Sequence, residues 1–274
     1  MLSITRIGGA LGAEVEGIDL RLAVPDDTFA QLQAGLVEHQ VLVFRDQPIE
    51  PPQLAALAHR FGEVEIHPAY PATAQSEEVR VLEHSAERPS KIEKWHTDMT
   101  FRARPPLGTL LHGRVIPAVG GDTLFASMTA AFAGLSDRLQ RFIDGLRAEH
   151  AFEHGFRESL AEPGGRQRLA QALRDNPPVT HPVVRRHPVD GRPSLFVNEL
   201  FTTRILELPE AESRAVLELL WQRAVAAEYT FRVRWQLHTL VMWDNRSTQH
   251  RPVNDHGLAH RMMHRVTIAG DEPR

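Results

Sequence analysis

Cysteine is absent from all 274 residues, which removes disulfides, thiolate zinc sites, iron–sulfur clusters and cysteine nucleophiles together. Any metal must therefore be held by nitrogen and oxygen. A basic excess is absent too. The formal charge is −4 and the pI near 6.4, so nothing global neutralises a phosphate backbone and no nucleic-acid partner is expected. No apolar run approaches a membrane span, and the first residues, MLSITRIGGALGAEVEG, place glycines and acids where a signal peptide needs an unbroken apolar stretch. A cytoplasmic protein without a membrane partner is the expectation. The glycines of GGALG lack the G-x-G-x-x-G spacing of a dinucleotide loop, and no G-x-S-x-G nucleophile elbow occurs. Internal repeats, low-complexity tracts and long linkers are likewise missing.

What is present is a hydrophobic share of 42%, ample for a packed core in one domain spanning residues 1–274. VLVF (Val41 to Phe44) reads as a buried strand. Before it, Asp26 and Asp27 can cap a helix with Phe29, Leu32 and Leu36 on one face. After it, Pro51 and Pro52 can open a second helix carrying Leu54, Leu57 and Phe61. From Trp95 onward strands dominate. VVRRHPVDGRPSLFVN holds an Asp190-Gly191 turn between extended runs, a hairpin signal. PEAESRAVLELLWQRA reads as a helix, and YTFRVRW, TLVMWDN and HRMMHRVTI as strands. The polar, glycine-containing stretch from about 149 to 178 suggests a lid or insertion. The class expected is mainly β with flanking helices.

The chemistry begins at KWHTDMTF, read as a half-buried strand that points His96 and Asp98 to one face. With 15 histidines in the chain, roughly one H-x-D triplet arises by chance, so the pair needs a third ligand. WDNRSTQH supplies His250 after an apolar strand. Two histidines and one carboxylate form the facial triad of non-haem Fe(II) oxygenases, which leaves coordination positions open. Further on, Arg261 and Arg265 in HRMMHRVTI share a strand face with their Cα atoms about 13 Å apart, suited to two different anions rather than one. Thr123 of GGDTLF can offer a hydroxyl to one of them.

The blocks WHTDMTF, PPLGTLL, GGDTLF, HPVVRRHP, LFVNELFTTRI, WDNRSTQH and HRMMHRVTI, in this order over nearly the whole chain, resemble the 2-oxoglutarate-dependent taurine dioxygenase family. The resemblance implies a double-stranded β-helix, or jelly-roll, core. It implies Fe(II) on His96, Asp98 and His250, with 2-oxoglutarate held by Arg261 and Thr123 and O2 as the other co-substrate. It also implies a small anionic substrate on Arg265 and His67, with Tyr70, Phe156 and Phe201 closing the pocket. The reaction implied hydroxylates the carbon next to the sulfonate of taurine or a related alkylsulfonate. Aldehyde and sulfite are released, with succinate and CO2 as co-products. Assembly into homo-oligomers is implied as well. One position departs from the pattern: taurine-specific members carry asparagine three residues before the tryptophan of WHTD, where this chain has Ile92. An isoleucine offers an ammonium no acceptor, which brings alkylsulfates and other small organic anions into range. The rivals from other classes are a non-catalytic metal-binding β-barrel and a zinc hydrolase on the same three ligands.

Overall fold

VLVF carries no polar residue because both its faces are covered. Val41 and Val43 belong to one apolar cluster with Leu111, Phe125, Val241 and Trp243. Leu42 and Phe44 belong to another, with Leu32, Leu36 and Leu54 of two helices. The two-residue period of a strand thus divides it between two cores. The neighbouring Leu240–Asp244 strand divides in the same way, Val241 and Trp243 to one side and Leu240 and Met242 to the other.

The computed structural model describes residues 1–66, 70–86 and 93–274. Among these, the main sheet runs in the order Ser3–Arg6, Ala13–Glu16, Val41–Phe44, Leu240–Asp244, Gly108–Val115, Arg261–Ile268, Ser76–His84 and Ala72–Thr73, with Val64–Glu65 beside Arg261–Ile268. A smaller sheet joins Thr230–Val233, Thr123–Ser127 and Thr248–Pro252. Phe125 and Val233 of the small sheet share their cluster with Val43, Val241 and Met263 of the large one. The two sheets therefore enclose one inner core, the expected jelly-roll arrangement with helices outside.

The two early helices span Asp26–His39 and Pro51–Phe61. Pro25, not an aspartate, holds the first N-cap position. Asp26 and Asp27 lie one step further in, where a carboxylate favours the helix through its dipole rather than by capping. The second helix opens on its prolines behind a Glu50–Gln53 capping box. The Asp190-Gly191 signal closes the hairpin of Val184–Arg186 and Pro193–Leu195, with Gly191 at φ 73°. PEAESRAVLELLWQRA forms Glu210–Ala224. Of the stretch from 149 to 178, Glu149 and His150 belong to a strand. Four short helices, Phe152–Gly155, Arg157–Ala161, Gly165–Arg168 and Ala170–Asp175, follow. No helix among the described residues is long and apolar enough to cross a membrane.

KWHTDMTF corrects the sequence reading. His96 makes a single bridge to His250, and from Asp98 the chain turns, with Met99 at φ 45°. Side chains replace ladder partners here: Thr97 Oγ1 donates to the Thr248 carbonyl at 2.7 Å, and Asn245 Oδ1 lies 3.4 Å from the Asp98 amide nitrogen. Strand alternation is therefore not what brings His96 and Asp98 together. YTFRVRW is also shorter than expected, its ladder ending at Val233.

The turn after Leu240–Asp244 is fixed by a buried ion cluster. Arg246 donates to both Asp244 oxygens, at 2.8 and 2.6 Å, and His187 Nε2 lies 3.0 Å away. Burial alone raises the Asp244 carboxyl, but the bonds from Arg246 and His187 outweigh it and hold the group well below the usual carboxylate range. A depressed folded pKa contributes stability that is present above the unfolded value, near 4, and lost as pH falls through the folded one. Asp244→Asn is expected to cost about 3–5 kcal/mol at neutral pH and to flatten the acid limb. Urea midpoints at neutral and acid pH check both. Equal losses at the two pH values would contradict the assignment.

Candidate metal and co-substrate site

His96 and Asp98 enter from the loop and turn before Gly108–Val115, and His250 from the Thr248–Pro252 strand. The His96 and His250 backbones exchange both hydrogen bonds, at 3.0 and 2.8 Å, which sets their rings 4.2 Å apart. His96 Nε2 is 3.9 Å and His250 Nε2 3.8 Å from Asp98 Oδ1. One ligand atom from each residue lies within 4.8 Å of the others, and all three residues are buried. Among the described residues no other group of three His, Asp or Glu converges in this way.

The remaining atoms of these side chains are largely committed elsewhere. His96 Nδ1 faces the Lys94 carbonyl at 2.9 Å. A carbonyl only accepts, so Nδ1 carries the proton and Nε2 keeps its lone pair. Asp98 Oδ2 accepts from Thr109 Oγ1 at 2.8 Å and from Asn245 Nδ2 at 3.3 Å. Asn245 is itself oriented by Trp243 Nε1, which donates to its Oδ1 at 3.0 Å. Oδ1 of Asp98 faces the two histidines and Arg265. Burial pushes both imidazoles down toward the neutral, ligating form, with Asp98 only partly opposing it. Burial alone would raise Asp98, but Arg265, His250, His96 and the Thr109 bond hold it far below the usual range. Two neutral imidazoles and one ionised carboxylate oxygen, with no sulfur, fit a divalent iron that keeps positions open for other ligands.

Thr109 and Asn245 are functional residues that sequence reading misses. The Asn245–Asp98 bond spans 147 positions, and no local pattern announces it. Asn245→Ala or Thr109→Val frees Oδ2 and the carboxylate's rotation, so metal affinity should fall about 10- to 100-fold, the usual cost of losing such a supporting bond. Competition with a chelating dye measures it. An unchanged affinity would show that the cradle does not hold Asp98 for a metal.

Arg261–Ile268 places Met263 in the inner cluster and Val266 and Ile268 in the outer one. Parity then turns Arg261 and Arg265 inward with Met263, and both are buried. Arg265 lies 2.8 Å from Asp98 Oδ1 and donates from Nε to Thr267 Oγ1 at 3.2 Å. Arg261 meets no carboxylate at ion-pair distance among the described residues. Its Nε donates to the Gly121 carbonyl at 3.2 Å, and burial pushes its pKa down to about 10, with Asp122 only partly opposing it. Thr123 Oγ1 accepts from Trp235 Nε1 at 3.0 Å.

The pocket residues expected around the triad fall on both sides of what is described. Phe201 sits 6.4 Å from His96 and packs with Met99, Phe101, Phe152 and Leu200, with Phe156 beside them. Tyr70 feels both Arg265 and Asp98, and burial raises its pKa. His67 and Ile92 lie outside the described residues. A cavity of about 690 Å³ elsewhere, lined by Leu36, Phe61, Leu107 and Arg192 among others, touches none of the triad.

Residues 3–267 match the family described as taurine catabolism dioxygenase TauD, TfdA family. An alkylsulfatase of Acinetobacter baylyi is 33% identical over 98% of this chain and 86% of its own length. An alpha-ketoglutarate-dependent sulfate ester dioxygenase of Pseudomonas putida is 32% identical over 99% of this chain and 91% of its own. The crystal structure of a taurine dioxygenase from Burkholderia xenovorans superposes with a TM-score of 0.85 at 32% identity, covering 99% of this chain and 90% of that one.

Proposed function

The chain belongs to the TauD, TfdA family of Fe(II)- and 2-oxoglutarate-dependent dioxygenases, and from that premise we propose that it hydroxylates the carbon next to the sulfonate of an alkylsulfonate, taurine included. The observation that carries this reading is the charge of the buried site. Arg261 and Arg265 are both buried, with Asp98 the one carboxylate among the described residues within ion-pair distance of either. A divalent cation on the triad leaves three positive charges uncompensated. The dianion 2-oxoglutarate offsets two and a monoanionic substrate the third, as low-dielectric burial demands.

In this reading His96, Asp98 and His250 hold the iron, while Arg261 and Thr123 hold the distal carboxylate of 2-oxoglutarate. When bound, the iron with 2-oxoglutarate and O2 supplies the oxidising power: the co-substrate becomes succinate and CO2, and one oxygen atom enters a substrate C–H bond. Arg265 takes the substrate anion in its planar fork. His67 and Tyr70 complete the anion end, and Phe156 and Phe201 exclude water and aim the carbon, which is positioning rather than acid–base work. The hydroxylated carbon then expels sulfite and becomes an aldehyde. The helices from Phe152 to Asp175 act as a lid on a single domain. A cytoplasmic location and homo-oligomeric assembly belong to the same proposal.

A second reading has a specific observation in its favour. The cluster of Met99, Phe101, Phe152, Leu200 and Phe201 is apolar, which suits an alkyl body better than an ammonium, and the replacement of asparagine by Ile92 points the same way. Alkyl sulfate esters carry the same single charge. Their hydroxylation releases sulfate in place of sulfite. The test supplies Fe(II), 2-oxoglutarate and O2 with taurine, an alkylsulfonate or an alkyl sulfate of matched chain length, and measures sulfite, sulfate and succinate. Sulfite equal to succinate supports the first reading, and sulfate equal to succinate the second. Succinate formed with neither sulfur product would sink both.

A further inference from the structure

Thr123 and Arg261 are joined by a third residue, which the reaction as described leaves unused. Trp235 lies two positions beyond Val233, and Val233 is the ladder partner of Thr123. Continuing with the two-residue period carries Trp235 to the side of Val233, and both belong to the inner cluster with Trp243 and Met263. Trp235 is 6% exposed. Its Nε1 donates to Thr123 Oγ1 at 3.0 Å, and its ring lies 5.9 Å from the Arg261 guanidinium carbon.

The direction of that bond matters. An indole N–H can only donate, whereas a hydroxyl has one proton and two lone pairs. Trp235 therefore occupies a lone pair of Thr123 and leaves the hydroxyl proton free to point elsewhere. Thr123 is 3% exposed, and among the described residues its hydroxyl donates to no acceptor. A buried hydroxyl oriented as a donor, with a buried guanidinium across the indole that meets no carboxylate at ion-pair distance among the described residues, is arranged for an anion. The indole face also lies against the guanidinium, a contact that favours the cation where water is excluded.

We propose that Trp235 is a positioning residue of the co-substrate site: its N–H fixes the Thr123 hydroxyl as a donor to the distal carboxylate, and its ring holds Arg261 in place. The proposal rests on the assignment of Thr123 and Arg261 to 2-oxoglutarate, so its test separates the two. Anaerobic calorimetry of 2-oxoglutarate binding to the Fe(II)-loaded protein is made on native, Thr123→Val, Trp235→Phe and doubly substituted chains. Phenylalanine keeps an aromatic face and removes the N–H. Each single change is expected to weaken 2-oxoglutarate about 3- to 10-fold, the range of one hydrogen bond. The double change should be no weaker than Thr123→Val alone, because Trp235 acts through the hydroxyl. Affinity for 2-oxobutyrate, which has no distal carboxylate, should be unchanged throughout.

If Thr123→Val leaves 2-oxoglutarate binding intact, the co-substrate assignment itself fails. If Thr123→Val weakens binding while Trp235→Phe does not, or the two effects multiply, the role of Trp235 is overturned. Equal weakening of 2-oxobutyrate by Trp235→Phe would reduce that role to packing. Should Trp235→Phe not fold, benzothienylalanine at the same position keeps the bicyclic ring without the N–H and is expected to give the same 3- to 10-fold loss as the lost hydrogen bond.

Discussion

Asp98→Ala is expected to abolish both metal binding and turnover, and at the same time to lower the melting temperature of the metal-free protein. The first effect follows because Asp98 Oδ1 is the atom both histidines face, at 3.9 and 3.8 Å. The second follows because the same oxygen is 2.8 Å from Arg265, whose side chain is buried. Removing one member of a buried pair leaves the other charged and uncompensated, at a cost of about 3–5 kcal/mol. Replacing Arg265 by Leu in the same chain should recover most of that stability and none of the turnover. Calorimetric melting and Fe(II) titration of the single and double variants separate the two roles. A binding barrel without catalysis would have no turnover to lose, and a zinc hydrolase would remain active with zinc and without O2 or 2-oxoglutarate. Stoichiometric Fe(II) and undiminished turnover in Asp98→Ala would refute the triad.

Arg261→Leu is expected to act with the opposite sign on stability. Its guanidinium is buried, makes no ion pair among the described residues, and is already pushed down to about 10 by that burial. The free protein should therefore melt no lower when a leucine takes its place, because an unpaired buried charge is costly. The affinity for 2-oxoglutarate should fall by about 30-fold or more, since truncating one partner of a buried charge pair removes about 2–5 kcal/mol. The rise in melting temperature that saturating 2-oxoglutarate gives the native protein should vanish with it. Metal affinity should not change, because Arg261 touches none of the three ligands. A variant that binds 2-oxoglutarate normally would show that Arg261 serves another purpose.

These two arginines stand four positions apart on one strand, yet their situations differ. Among the described residues, Arg265 has a carboxylate at ion-pair distance and Arg261 does not. Parity alone predicted their shared face, since a strand repeats every two residues. It could not predict which of them would be paired, because Asp98 approaches from a turn rather than from a neighbouring strand.

The sequence by itself determined the elements with a strong local period: the helices from Asp26 and Pro51, the VLVF strand, the Asp190-Gly191 hairpin and the shared face of Arg261 and Arg265. It also determined the donor chemistry, because a chain without cysteine can offer a metal only nitrogen and oxygen. Only the tertiary structure decided how His96 and Asp98 meet. The strand expected there gives way to a turn whose backbone and side chains bond to Asn245 and Thr248, residues about 150 positions away. The same is true of Thr109, Asn245 and Trp235, which orient Asp98 and Thr123. Hydrogen bonds of this kind depend on which surfaces the fold brings together, and no local repeat encodes them. Period fixes the direction of a side chain within its own element; its partner is fixed when separate elements pack.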